Sequence, residues 1–332
     1  MNQFILVGDI GGTKTTLAVF EKDKGPNEFI KKKTYKSKNH NSLNSILRIF
    51  LKNVDFSISH ASFGVAGPVI EGQTILPNLQ WDIMEEELST KLQIPVKLLN
   101  DLEATATAIP HLNRKDLYTI GSGVEKRNET LAVIAPGTGL GEAFLSWNGE
   151  NYQTHPSEGG HSDFAPIDQI QIDLLTYLHH QFGHVSYERV CSGPGLYNIY
   201  SFLKDTRKYI EPNWLKEKIS MRTDPSPIIS QVALEGTADI AIATMDLFVS
   251  VLGSEAGNLA LKVLAKGGVF IGGGIPPRII PYLEKDIFIN SFKKKGRLSE
   301  VISKIPLYIV QNPDTALIGA GIYGLRQSQN YK

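Results

Sequence analysis

The feature that most restricts the fold of this chain is a strand, glycine turn, strand unit that occurs twice. Phe4 to Val7 is a short β-type apolar run, Gly8-Asp9-Ile10-Gly11-Gly12-Thr13 follows, and Thr15 to Phe20 is strand-like again. Far along the chain, Leu131 to Ile134 leads into Ala135-Pro136-Gly137-Thr138-Gly139-Leu140-Gly141, and Glu142 to Trp147 resumes the strand pattern. Two such hairpins predict a duplicated α/β architecture with one phosphate-handling turn in each domain. Neither turn is a P-loop, which needs Gly-Lys-Ser or Gly-Lys-Thr opening a helix, and neither is the strand-to-helix dinucleotide turn.

The remaining pattern alternates in the same way. Leu43, Ile46, Leu47 and Phe50 recur at helical spacing, while Ala61 to Ala66 and Val96 to Leu99 read as strands. Ile167 to Phe182, Gly195 to Leu203, Ser226 to Val251 and Glu255 to Ala265 carry helical spacing, so the second half is the more helical. Gly267 to Gly274 is a buried-strand pattern ending in three glycines, Pro306 to Val310 a last strand, and Thr315 to Leu325 a closing helix. A length of 332 residues suggests two domains at about 150 residues each. The boundary is placed near Ala104 to Pro110: residues 1–108, completed by the C-terminal helix 315–332, form a small α/β domain, and 109–314 a larger one.

Composition narrows the function classes. Lys and Arg number 34 and Asp and Glu 34, so no net charge draws the chain to nucleic acid or an anionic membrane. The compact basic run Lys293-Lys294-Lys295 reads as a solvated face. Cys191 is the only cysteine, which forbids an internal disulfide and a Cys-rich zinc site. The longest stretch without Asp, Glu, Lys or Arg, Phe56 to Ile70, is interrupted by Gly64, Gly67 and Pro68 and falls short of a membrane span. No export signal precedes the first strand, so the expected location is the cytoplasm, with neither membrane nor nucleic acid as partner.

The chemistry gathers at the turns. Gly8, Gly11, Gly12 and Thr13 can bring backbone N–H groups against an anion, while the Asp9 carboxylate suits Mg²⁺, held through water or directly together with substrate phosphate. An ordinary glycine hairpin is the competing reading. Further clusters at Gly137, Thr138, Gly139 and Gly141 and at Gly272 to Gly274 favour a nucleotide, which needs several close backbone approaches. Asn100 and Asp101 stand where an apolar strand ends and a helix begins, the edge at which open α/β sheets bind ligands, although Asp101 is also a competent helix N-cap. Glu158-Gly159-Gly160-His161 offers a carboxylate and an imidazole, suited to sugar hydroxyls more than to metal because few further His or Cys residues lie nearby. Glu188 is either a third hydroxyl ligand or a surface ion-pair partner, and His179 and His180 read as structural or exposed.

These segments together resemble bacterial-type glucokinase. The resemblance rests on Val7 to Thr13, Asn78 before Trp81, Leu99-Asn100-Asp101, Pro136 to Gly141, Glu158 to Pro166, Glu188 to Gly195 and Gly268 to Gly274, collinear from about residue 5 to 325. The first glycine hairpin is shared across actin-like ATPases; Glu158 to Pro166 and Glu188 to Gly195 are the more specific segments. The resemblance implies an α/β, two-domain actin-like ATPase (ribonuclease H-like) fold with a cleft between domains, ATP and Mg²⁺ as cofactors, a homodimer, and transfer of phosphate to the 6-hydroxyl of glucose at the start of glycolysis. By position it makes Asn78, Asn100, Asp101, Glu158, His161 and Glu188 glucose ligands, with Asp101 the catalytic base. It places Gly8, Asp9, Gly11, Gly12, Thr13, Gly137, Thr138, Gly139, Gly273 and Gly274 around the nucleotide. Lys14 departs from the common residue at that point, and the zinc-binding cysteines of the related ROK sugar kinases are absent, so a structural zinc is not expected. Other hexose kinases, a sugar-responsive repressor and a catalytically silent sugar sensor are the competing readings, the repressor lacking room for a DNA-binding extension ahead of Phe4.

Overall fold

The computed structural model describes residues 3–52, 54–76 and 79–330. Two compact units emerge: Met1–Asn113 with Tyr152–Thr154 and Asn312–Lys332, and Arg114–Asn151 with His155–Gln311.

The first unit runs β1 (Phe4–Ile10), β2 (Lys14–Glu21), β3 (Phe29–Lys36), α1 (Leu43–Leu51), β4 (Ile58–Val65), β5 (Gln73–Leu76), β6 (Trp81–Met84), α2 (Glu85–Leu92), β7 (Val96–Asn100) and α3 (Asp101–Ala108). β1 pairs antiparallel with β2 and parallel with β4, and β4 pairs parallel with β7, in the order β3-β2-β1-β4-β7. Both faces of β1 are buried, which is why its sequence is a continuous apolar run. Leu6 and Ile10 face the α1 residues Leu43, Ile46, Leu47 and Phe50, whereas Ile5 and Val7 on the opposite face join Leu317 and Ala320 of the C-terminal helix. Lys31, Lys32, Lys33 and Lys36 on the edge strand β3 discourage pairing with another chain.

The second unit carries β8 (Leu117–Ile120), β9 (Leu131–Pro136), β10 (Leu140–Trp147), β11 (Tyr152–Ser157), α4 (Gln169–Phe182), α5 (Gly193–Asp205), α6 (Asn213–Ser220), α7 (Ser226–Glu235), α8 (Asp239–Val263), β12 (Gly268–Ile271), α9 (Ile280–Leu283), α10 (Asp286–Lys293), α11 (Ser299–Ser303) and β13 (Leu307–Val310). The chain then closes in the first unit with α12 (Thr315–Asn330). The second sheet has the order β11-β10-β9-β12-β13-β8. β9 is antiparallel to β10 and parallel to β12, which is parallel to β13. β1 stands in the same relation to β2, β4 and β7, so the duplication expected from the glycine turns appears as a repeated strand order.

Two expectations about the second unit need correction. Ser226 to Val251 is not one helical stretch: Gly236, at φ 68°, takes the left-handed conformation that ends α7, and α8 starts afresh at Asp239. Conversely α8 runs unbroken through Leu252-Gly253-Ser254, and Gly253 sits where a Cβ would lie 2.4 Å from the Phe288 carbonyl oxygen of α10. There glycine permits close helix packing and does not interrupt the helix. This 25-residue helix is long and apolar enough to cross a membrane, but most of it lies inside the unit's core. Lys295 is the other correction: its Nζ donates to the Ser254 carbonyl at 2.9 Å, so only part of the basic run faces solvent.

Candidate active site

In the first unit, parallel pairing puts Ile10, Val65 and Asn100 on one rung of the sheet. The turn after β1 and the start of α3 therefore leave the same carboxyl edge, two strand spacings or about 10 Å apart. Gly8 is buried within β1, where a Cβ would lie 2.7 Å from a Phe63 ring carbon, so packing accounts for this glycine. Asp9 and Gly11 to Gly12 are half-buried, and Thr13 is exposed at the tip. The Gly11 N–H donates to the Lys14 carbonyl at 2.9 Å, and Ser37 braces the turn by donating its hydroxyl to the Gly11 carbonyl at 2.7 Å and its N–H to that of Thr13 at 3.1 Å. None of these glycines has positive φ. The turn thus needs no left-handed residue.

Burial pushes the Asp9 carboxyl above the usual range, the charge of Lys14 pulls it down, and Asp314 adds to the rise. Lys14 lies on the exposed start of β2. Among the described residues no group of three His, Cys, Asp or Glu side chains forms a ready metal cage. A carboxylate beside such a turn is the ligand type that Mg²⁺ takes together with substrate phosphate.

The helix cap, for which Asp101 was the alternative candidate, is made by Asn100. Its Oδ1 accepts the Leu102 N–H at 2.9 Å, its Nδ2 donates to the Gly67 carbonyl at 2.9 Å, and the Glu103 carboxylate reaches back to the Asn100 N–H. Asn100 and Glu103 thus cap the helix between them, so its start does not rest on Asp101 as its cap. The sequence signal for it is the Glu three positions past Asn100. Asp101 is the first helical residue, half-buried, with Oδ1 2.8 Å from the Leu102 N–H.

In the second unit the expected residues converge. A 3₁₀ turn, Gly159–His161, lies on β10: a Cβ on Gly160 would sit 2.0 Å from the Leu140 carbonyl oxygen, and one on Gly159 2.1 Å from Glu142 Oε2. The paired glycines thus let the turn dock, which leaves Glu158 and His161 exposed at its two ends. A second 3₁₀ turn, Tyr187–Arg189, carries Glu188. The Tyr187 N–H donates to the Ser162 carbonyl at 3.0 Å, joining the two turns. Glu188 is half-buried and forms no ion pair among the described residues; its Oε2 accepts the Leu140 N–H at 2.9 Å and lies where a Gly139 side chain would go.

The glycines of this unit that were expected around a nucleotide are linked by backbone hydrogen bonds or packed against one another. Gly193 donates its N–H to the Gly137 carbonyl and Gly137 to that of Gly139, both at 2.8 Å, and the Gly272 N–H bonds Ile134 at 2.9 Å. Gly273 has φ 86° and no space for a Cβ beside Pro136, a backbone requirement. Gly274 has open space at its Cβ position, and a Cβ on Gly137 would meet only the Gly274 nitrogen at 3.9 Å. Thr138 is exposed between Gly137 and Gly139. Asn78 lies outside the described residues.

A family model described as glucokinase matches residues 6–327. Glucokinase of Trichormus variabilis is 38% identical over 338 residues, covering 97% of this chain and 99% of that protein. Among solved structures, glucokinase from an Antarctic psychrotroph superposes with a TM-score of 0.83 at 33% identity, over 97% of this chain and 99% of that one. A ROK-family glucokinase from Streptomyces griseus, solved with glucose and AMPPNP, shares the fold at 17% identity and a TM-score of 0.64, with 98% and 99% coverage. A match running almost from end to end, with both glycine turns and the docked Glu158 to His161 turn inside it, means that the chain belongs to the glucokinase family.

Proposed function

We propose that the chain transfers the γ-phosphoryl group of MgATP to the 6-hydroxyl of D-glucose, forming glucose 6-phosphate and ADP at the entry to glycolysis. The observation that carries the reading is Asp101, a carboxylate at the edge of the sheet in a helix whose cap is built from its neighbours. In this reading the Asp101 carboxylate accepts the proton of the 6-hydroxyl while that oxygen bonds to the γ-phosphorus and the bond from phosphorus to the ADP oxygen breaks. Proton acceptance contributes about 10²–10⁴-fold, so positioning and electrostatics supply most of the acceleration. Asn100, Glu158, His161 and Glu188 orient the sugar through its hydroxyls, with Asn78 a further candidate. Backbone amides of Gly11 to Thr13, Gly137 to Gly139 and Gly273 to Gly274 surround the phosphates. Asp9 would hold Mg²⁺ through water, and the ion would there supply charge neutralisation for the phosphate oxygens. The homodimer and the cytoplasmic location belong to the same proposal. A panel of sugars crossed with ATP, ADP and polyphosphate, read by coupled product release, tests it: turnover confined to glucose and ATP is expected, and no glucose-dependent ADP release refutes it.

Three substitutions separate the nucleotide and sugar parts of the proposed site. Gly137→Val places a branched side chain where the fold has room, so folding stability should stay near that of the unmodified protein. The expected result is a rise in KM for ATP of at least about tenfold, equivalent to about 1.4 kcal/mol, with glucose Kd nearly unchanged. An unchanged KM for ATP would make the cluster a structural turn only.

Glu158→Ala and His161→Ala should each cost about 1–3 kcal/mol of glucose binding, because each leaves a sugar hydroxyl unpaired, and should relax discrimination against analogues lacking that hydroxyl. Calorimetry with glucose and its deoxy analogues reads both effects. Stoichiometric zinc lost together with either side chain would reassign the pair to metal binding.

A further inference from the structure

Behind the two turns that carry Glu158, His161 and Glu188 lies a pair of acids that the proposed reaction does not use. Glu142 of β10 is 1% exposed and Glu255 of α8 is fully buried. Their carboxyls are within hydrogen-bonding reach of each other. Glu142 Oε1 has no donor partner, although it is buried. An ionised carboxylate only accepts hydrogen bonds, so two facing carboxylates leave oxygens unsatisfied and repel. One proton held between them cures both faults.

Every element around the pair connects it to the site. Glu142 Oε2 occupies the space against Gly159, where a Cβ would come within 2.1 Å. On α8, Asn258 Nδ2 donates to Glu255 Oε2 and to the Tyr187 hydroxyl, both at 2.9 Å, and Lys262 Nζ lies 3.2 Å from Glu255 Oε1. The Tyr187 hydroxyl also bonds Glu255, one residue before Glu188. Cys191 and Lys295 are the other titratable groups that feel the pair.

We propose that Glu142 and Glu255 hold one proton between them, and that this shared proton fixes the relative placement of the Gly159–His161 and Tyr187–Arg189 turns, making the two acids positioning residues for sugar binding. The inference rests on the reading that Glu158, His161 and Glu188 bind the sugar. Loss of the proton would place a second negative charge behind both turns, pushing apart the β10 and α8 contacts that hold them.

Burial, and next the charge of Glu255, push the Glu142 carboxyl from the ordinary 4.5 up to about 8 against the opposing pull of Lys262. Burial raises the Tyr187 hydroxyl and the Cys191 thiol and lowers the Lys295 ammonium. Because the folded state binds the Glu142 proton more tightly than the unfolded chain, its contribution to stability is full in acid and is lost as pH rises through about 8.

The experiment measures glucose kinetics from about pH 6.5 to about pH 9.5 for the full chain and for Glu142→Gln, whose amide donates permanently to Glu255. If only the protonated pair places the turns, kcat/KM for glucose in the unmodified protein falls about tenfold per pH unit above about pH 8, through KM and with little change in kcat. In Glu142→Gln that limb is flat. Infrared difference spectra between the pH extremes should show a protonated carboxyl band that Glu142→Gln removes. Glu255→Gln is the second variant should the first fail to fold. An alkaline KM limb that persists in the glutamine variant, or a carboxyl band absent from the unmodified protein, overturns the proposal. Failure of the sugar-site reading looks different: Glu158→Ala and His161→Ala would then leave glucose binding intact at every pH, while the carboxyl band would still report the shared proton.

Discussion

Asp101→Asn should lower kcat for glucose phosphorylation by about 10²–10⁴-fold while glucose still binds. The amide retains an oxygen that can accept the Leu102 N–H, now bonded to Asp101 Oδ1 at 2.8 Å, but it has little basicity for the hydroxyl proton. The helix should survive the change, because Asn100 and Glu103 close its first turn. The loss is therefore expected in kcat, with similar glucose affinity by calorimetry and a melting temperature close to that of the unmodified protein. Retention of more than about a tenth of kcat would rule out Asp101 as the base.

How much of this was legible in the sequence follows from the range of the interactions involved. The strands and their glycine turns were readable because each is a local pattern, an apolar run bounded by residues that turn the chain. The Asn100 cap is equally local, and Glu three positions past Asn100 is the sequence signal that favours Asn100 over Asp101 as the cap. Ser37 could not be found in this way. It braces the first glycine turn from 26 residues away and has no periodic or motif signature. Glu142 and Glu255 were likewise hidden, since an acid in an apolar strand and another in an apolar helix declare a partner only after β10 and α8 have packed. Gly253 shows the opposite limit: it lies in the gap between two stretches of helical spacing, yet it is inside one helix and packs against the Phe288 carbonyl of α10.

Gly319→Ala is expected to lower both stability and turnover, although Gly319 touches no substrate in the proposed mechanism. On α12 this residue faces α3 so closely that a Cβ would lie 1.6 Å from the Ala104 carbonyl oxygen. An ordinary contact needs about 3.5 Å, so α3 and α12 must separate by up to roughly 2 Å or tilt. Neither can adjust cheaply: Ala104 and Ala320 are fully buried, and the obstructing atom belongs to a helix backbone, not to a side chain that could choose another rotamer. Overpacking of this kind costs about 1–3 kcal/mol, and the upper figure corresponds to a melting temperature lower by roughly 6–12 °C. Asp101 begins the displaced helix three residues before Ala104, less than one turn away. A misplacement of about 1 Å at a reacting group can cost about 10²-fold, so kcat should fall even at temperatures where the variant remains folded. Thermal melts followed by circular dichroism and steady-state kinetics well below the melting point separate the two effects. A variant that melts and turns over like the unmodified protein would show that α3 is not held to α12 at this point, and the placement of Asp101 would then have to come from β7 and the Asn100 cap alone.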